Sequence, residues 1–151
     1  MAIQIGDQLP HFKAIQQDGN AFDTVLIQQK PLVIYFYPKD FTPGCTTQAC
    51  SFRDAYQDFQ DLGAEVIGIS GDSASSHQDF QKKHNLPFVL LSDSDRKLRK
   101  LFGVPAALFG LIPGRVTYVF DASGKCIYIF DRKKKKNHIT KALQVLKKST
   151  K

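Results

Sequence analysis

The sequence predicts an α/β fold in which a central mixed sheet is flanked by helices and preceded by an N-terminal β-hairpin. Three observations carry the prediction. Apolar runs rich in β-branched and aromatic residues, Leu32–Tyr37 above all, read as strands buried on both faces. Stretches with apolar residues at helical spacing alternate with those runs. Near the end, two strand-like segments flank the turn Ala122-Ser123-Gly124 and are followed by an amphipathic helix.

In chain order, His11–Gln16 alternates weakly, Asp18-Gly19-Asn20 signals a turn, and Ala21–Ile27 returns as a second short strand. Leu32–Tyr37 is the central strand, stopped by Pro38. Thr42 offers a helix cap and Pro43 suits the first helical position, after which Ala49, Phe52, Tyr56 and Phe59 recur on one face until Gly63. Ala64–Ser70 is the next buried strand, Ser75–His84 a helix with Phe80 inward, and Phe88–Leu91 another strand. Asp95–Phe102 reads as a short helix, Val116–Phe120 and Cys126–Phe130 as the strand pair, and Ile139–Lys147 as the closing helix. That order suits a thioredoxin-like architecture. Gly103–Gly114 fits neither period. It is an unusually greasy loop, folded onto the core or serving as an apolar wall or docking patch beside a site.

With 151 residues, 42% of them hydrophobic, the chain reads as one domain, 1–151, with material for a real core. No repeat or linker divides it, no run is long enough to span a membrane, and no export signal opens it. Three cysteines are too few for a disulfide framework and fit reduced thiols in a cytoplasmic setting, with a processed organelle form left open. The charge is uneven. The last 21 positions, Asp131–Lys151, hold nine basic residues and one acidic, which leaves 12 basic against 13 acidic in residues 1–130. The body is near neutral, so the basic character belongs to the tail. A solvated basic end explains it more simply than a nucleic-acid face.

The chemistry concentrates in Pro38–Cys50. Cys45 falls in the first turn of a helix that follows a buried strand, where unpaired N–H groups and the helix dipole favour thiolate over thiol. Gly44 lets a small ligand approach the backbone, and Thr42 offers a hydroxyl beside the sulfur. Cys126, in the last strand, shares a face with Tyr128 and Phe130 by alternation and reads as a buried structural thiol. His11, His77, His84 and His138 lack ligand spacing with one another or with the cysteines, so no metal or other cofactor is expected.

Pro38-x-x-x-Thr42-x-x-Cys45 resembles the active-site motif of the peroxiredoxins, thiol peroxidases of thioredoxin-like fold. Cys50 resembles the resolving cysteine of the Q, or bacterioferritin-comigratory, type, and Pro113–Val119 resembles the segment that supplies an active-site arginine, here Arg115. The resemblance runs from about Asp7 to Leu146. Gln48 stands where many relatives have Glu, and Lys133–Lys136 lies outside the family pattern. The resemblance implies that Cys45 attacks peroxide and that Arg115 stabilises the thiolate and the leaving charge. It implies that the Gly44 and Cys45 N–H groups bind the peroxide oxygens, Thr42 bonds substrate and sulfur, and Pro38 shields the sulfur from water. Cys50 would then form a disulfide with Cys45, a thioredoxin-like donor would reduce it, and the protein would work as a monomer. Two alternatives stay open: a disulfide oxidoreductase on the same fold, and a polyanion-binding protein acting through Lys133–Lys136.

Overall fold

The computed structural model describes residues 3–27, 29–104, 106, 107, 112, 113, 115–130 and 135–149. Its strands are β1 (Lys13–Gln16), β2 (Ala21–Asp23), β3 (Leu32–Phe36), β4 (Glu65–Ser70), β5 (Val89–Ser92), β6 (Ala106–Ala107), β7 (Ile112–Pro113), β8 (Val116–Phe120) and β9 (Cys126–Phe130). The α-helices are α1 (Pro43–Asp61), α2 (Ala74–His84), α3 (Lys97–Phe102) and α4 (Lys135–Ser149). Seven strands make a mixed sheet in the order β2-β1-β5-β4-β3-β8-β9, with β6 and β7 paired apart from it.

β3 lies inside the sheet, parallel to β4 and antiparallel to β8, and all five of its residues are buried. Strand alternation divides its side chains between two cores. Val33 and Tyr35 join Ala49, Phe52 and Phe59 of α1, Phe80 of α2 and Ile139, Ala142 and Leu146 of α4. Ile34 and Phe36 face Phe12, Phe22, and Leu98 and Phe102 of α3. Gly68 on β4 is required by this packing, because a Cβ there would lie 2.9 Å from the Tyr35 ring and from Leu90.

The expected N-terminal hairpin forms, with β1 antiparallel to β2 across a turn held by the Asp18 carboxylate and Gly19 at φ +84°. Its second strand is shorter than expected. β2 stops at Asp23, whose carboxylate accepts the Val25 N–H at 3.0 Å, and Thr24–Ile27 coils into a 3₁₀ turn. Gly103–Gly114 is not simply loop, since Ala106–Ala107 pairs with Ile112–Pro113 as a small hairpin. The side chains that would make it an apolar wall lie outside the described residues.

Cys126 is buried as expected, but alternation mispredicts its companions. β9 carries a bulge: Phe120 pairs with Cys126 and Val119 with Tyr128, leaving Ile127 as the extra residue. Cys126 consequently enters the core with Phe12 and Phe102, whereas Tyr128 packs on the side of α1 and α4.

Candidate active site

β3 ends at the loop Tyr37–Thr42, and α1 starts at Pro43, so strand, loop and helix bring Cys45 to the Phe36 end of the sheet. β8 runs antiparallel to β3 and begins there too, with Val116 opposite Phe36. Arg115 immediately precedes β8 and therefore reaches the start of α1. Its Nη2 donates to Cys45 Sγ at 3.4 Å, and its Nη1 donates to Gln48 Oε1. Residues 70 positions apart in sequence thus place a guanidinium on a thiol.

Cys45 itself is 1% exposed and packs in the core with Tyr35, Tyr37, Ala49 and Phe52. The first α1 bond is Thr46 N–H to Thr42 O at 2.9 Å. Pro43 has no N–H, and the Gly44 and Cys45 N–H groups stand in the first turn, where no carbonyl of the helix precedes them by four residues. Thr42 occupies the capping position but does not cap through its side chain. The hydroxyl instead donates to the Lys39 carbonyl at 2.9 Å, which leaves its lone pairs for an incoming O–H. Pro38 is half-buried at the start of this loop.

Cys50 lies on the same continuous helix as Cys45, half-buried, and both are free thiols. Five residues at 100° each put the two about 140° apart around the axis, with Cα atoms roughly 8.6 Å apart. A disulfide rarely spans more than about 7 Å. The helix as it stands cannot hold the bond.

Burial pushes the Tyr35 and Tyr37 phenols well above their ordinary range, and the nearby charges of Cys45 and Asp40 reinforce the effect at Tyr35. Both stay protonated, and Tyr37 spends its proton on Asp40 Oδ1 at 2.6 Å. Asp40, Asp72 and His77 bring ligand-type atoms within 4.8 Å of one another, which the histidine spacing gave no reason to expect. Each is engaged in hydrogen bonds within the protein. The signal missed was His77 standing three residues before Phe80 on the inward face of α2. A cavity lined by His11, Thr24, Leu32, Phe120 and Asp121 sits at the opposite end of β3 and includes none of the Cys45 surroundings. Lys133 and Lys134 lie outside the described residues; Lys135 and Lys136 open α4. No helix among the described residues is long and apolar enough to cross a membrane.

Comparison with known proteins agrees with this geometry. The AhpC/TSA family model matches residues 5–129. The chain is 52% identical over 142 residues to a peroxiredoxin Q, chloroplastic, of Oryza sativa subsp. japonica, covering 93% of this chain and 65% of that protein. It thus spans just under two thirds of the length of such relatives. The peroxidoxin BcpB of Mycobacterium tuberculosis superposes with a TM-score of 0.89 at 32% identity, covering 97% of both chains. A cysteine-to-serine variant of PrxQ from Xylella fastidiosa gives 0.92 at 29% identity, covering 100% of this chain and 99% of that one. The fold is the thioredoxin-like fold of those structures.

Proposed function

The chain belongs to the AhpC/TSA family, and from that premise we propose that it is a thiol-dependent peroxidase that reduces hydrogen peroxide and organic hydroperoxides. The observation that carries the reading is the Arg115 guanidinium at 3.4 Å from Cys45 Sγ, in the first turn of a helix whose first bond starts at Thr46. A cation at that sulfur and N–H groups in the first turn beside it can receive the charge that develops on a departing oxygen.

In the proposed cycle the Cys45 thiolate attacks one peroxide oxygen and the O–O bond breaks. The sulfur becomes a sulfenic acid, and the other oxygen leaves as hydroxide or alkoxide and takes a proton. Arg115 and the Gly44 and Cys45 N–H groups hold that oxygen, Thr42 accepts from the peroxide O–H, and Pro38 limits water at the sulfur. The Cys50 thiol then displaces water from the sulfenic acid, forming the Cys45–Cys50 disulfide. A thioredoxin-like dithiol reduces the disulfide by exchange and is itself oxidised. Because the pairing lies within one chain, the cycle needs no second copy, which fits a monomer. The similar plant proteins are chloroplastic, and this supports an organelle form over the cytoplasmic one.

A dithiol–disulfide oxidoreductase would act on protein disulfides without peroxide, so stopped-flow mixing with peroxide alone separates the two activities. Cys45→Ser should abolish peroxide consumption with the fold intact. Cys50→Ser should still consume one equivalent and then stop when a thioredoxin system is the only reductant. A Cys45→Ser protein that keeps a tenth of the activity would overturn the assignment.

A further inference from the structure

Asp40 lies in the loop between the central strand and Cys45, yet it is 3% exposed and carries more polar contacts than its neighbours in the loop. Tyr37 Oη donates to its Oδ1 at 2.6 Å. Ser76 Oγ donates to its Oδ2 at 2.9 Å, and His77 Nδ1 contacts the same oxygen at 2.7 Å. Its backbone N–H donates to Asp72 Oδ2 at 2.8 Å. His77 is fully buried, and its Nε2 lies 2.9 Å from the Leu91 carbonyl. A carbonyl only accepts, so Nε2 carries a proton. One further proton lies in the Nδ1–Oδ2 contact and binds imidazole to carboxyl. The pair ties three parts of the protein together: the loop, α2 and β5.

The next residue shows why the loop needs such a tie. Phe41 sits at φ +64°, a backbone region that a bulky side chain adopts only when its surroundings impose it. Its ring is nearly half exposed, stands edge-on to Phe80 at 5.1 Å and lies under Lys83 Nζ. Ser76, His77, Phe80 and Lys83 form one face of α2 at helical spacing. That face packs against Asp40 and Phe41. Residue 42 follows directly.

Resting on the peroxidase reading, we propose that the Asp40–His77 pair, with Tyr37 and Ser76, positions the peroxide site. It clamps the loop to α2 so that Thr42 and the first N–H groups of α1 keep their geometry while the helix beyond them opens and recloses. Asp40 and His77 touch neither substrate nor sulfur in this scheme; they are positioning residues. Because the clamp fixes the substrate-binding groups and not the thiol itself, its loss should slow peroxide far more than it slows an alkylating agent.

The test measures two rates on reduced protein: oxidation by hydrogen peroxide, and mass-resolved alkylation of Cys45 by iodoacetamide. His77→Leu and Asp40→Ala should lower the peroxide rate by about tenfold or more and change alkylation by less than about threefold. Asp40→Asn should stay within about threefold of the parent, because its amide can donate to a neutral His77 Nδ1 while its oxygen still accepts from Tyr37. If His77→Leu and Asp40→Ala fail to fold by circular dichroism, Tyr37→Phe removes one donor and keeps the ring. It should then slow the peroxide rate a few-fold. Unchanged peroxide rates in the folded variants would overturn the proposal. So would equal losses of peroxide and alkylation rates, which mark a merely structural role. A parent protein inert to peroxide would instead overturn the peroxidase reading beneath it.

Discussion

Arg115 is the residue on which the electrostatics at Cys45 turn. One nitrogen bonds the sulfur and another bonds Gln48, which is fully buried on the first turns of α1. Gln48 thus aims the guanidinium without neutralising it, whereas a carboxylate at that position would take part of its charge. Arg115→Ala should slow the peroxide step by about a hundredfold, as loss of a donor to a developing oxyanion does elsewhere. Reduction of the preformed disulfide should change little, since no oxyanion forms there. Rapid mixing that resolves the two half-reactions checks this, and equal losses in both would assign Arg115 to folding. Gln48→Leu should follow in the same direction with a smaller loss, because the arginine keeps its charge and loses only its aim.

At the scale of the element, α1 divides into a weak and a strong part. Pro43, Gly44, Thr46 and Thr47 are poor helix formers, and the proposed Cys45–Cys50 disulfide would require the turns between the two cysteines to unwind. From Phe52 on, buried aromatics hold the helix down. The Phe52 ring stacks on Tyr35 at 4.5 Å and lies near Phe59 and Phe88. Unwinding should therefore stop short of Phe52. Hydrogen exchange should show residues 46–50 losing protection on oxidation while residues 53–61 keep theirs. Equal protection of 46–50 in both states, with the disulfide verified by mass, would refute the unwinding. In the proposed cycle, opening that segment would also present the disulfide to a bulky donor and withdraw Gln48 from Arg115.

For the molecule as a whole, the two cores set stability and one buried thiol sets part of its pH dependence. Phe52→Ala should cost about 4 kcal/mol in urea unfolding, the usual scale for removing a buried aromatic ring. Cys126 is fully buried, and desolvation pushes its thiol from an ordinary 9.0 up to about 11. Between those values the unfolded chain has released the proton and the folded chain still holds it, so stability falls as pH rises through the window. The loss from this group between pH 8 and 10.5 should be about 2 kcal/mol. Comparing urea midpoints at the two pH values for the parent and Cys126→Ala isolates it. A variant with the parent's full alkaline loss would show that Cys126 contributes nothing.

The sequence by itself determined the order of elements, because period and punctuation are local properties: Leu32–Tyr37 has no polar break, Pro43 can only open a helix, and Gly63 can leave one. It also determined the candidate nucleophile, since a cysteine in the first turn of a helix is defined by its near neighbours. It overreached where a local rule met a partner. Asp23 turned its own strand into a 3₁₀ turn, and the bulge at Ile127 moved Tyr128 away from Cys126. What only the tertiary structure decided are contacts between residues far apart in the chain: Arg115 with Cys45, and Asp40 with His77. No periodicity encodes a distance across 70 or 37 positions. Those pairs arise because β3 ends, and β8 and α2 begin, at one end of the sheet, and that convergence is a property of strand order, which the residues of any single segment do not carry.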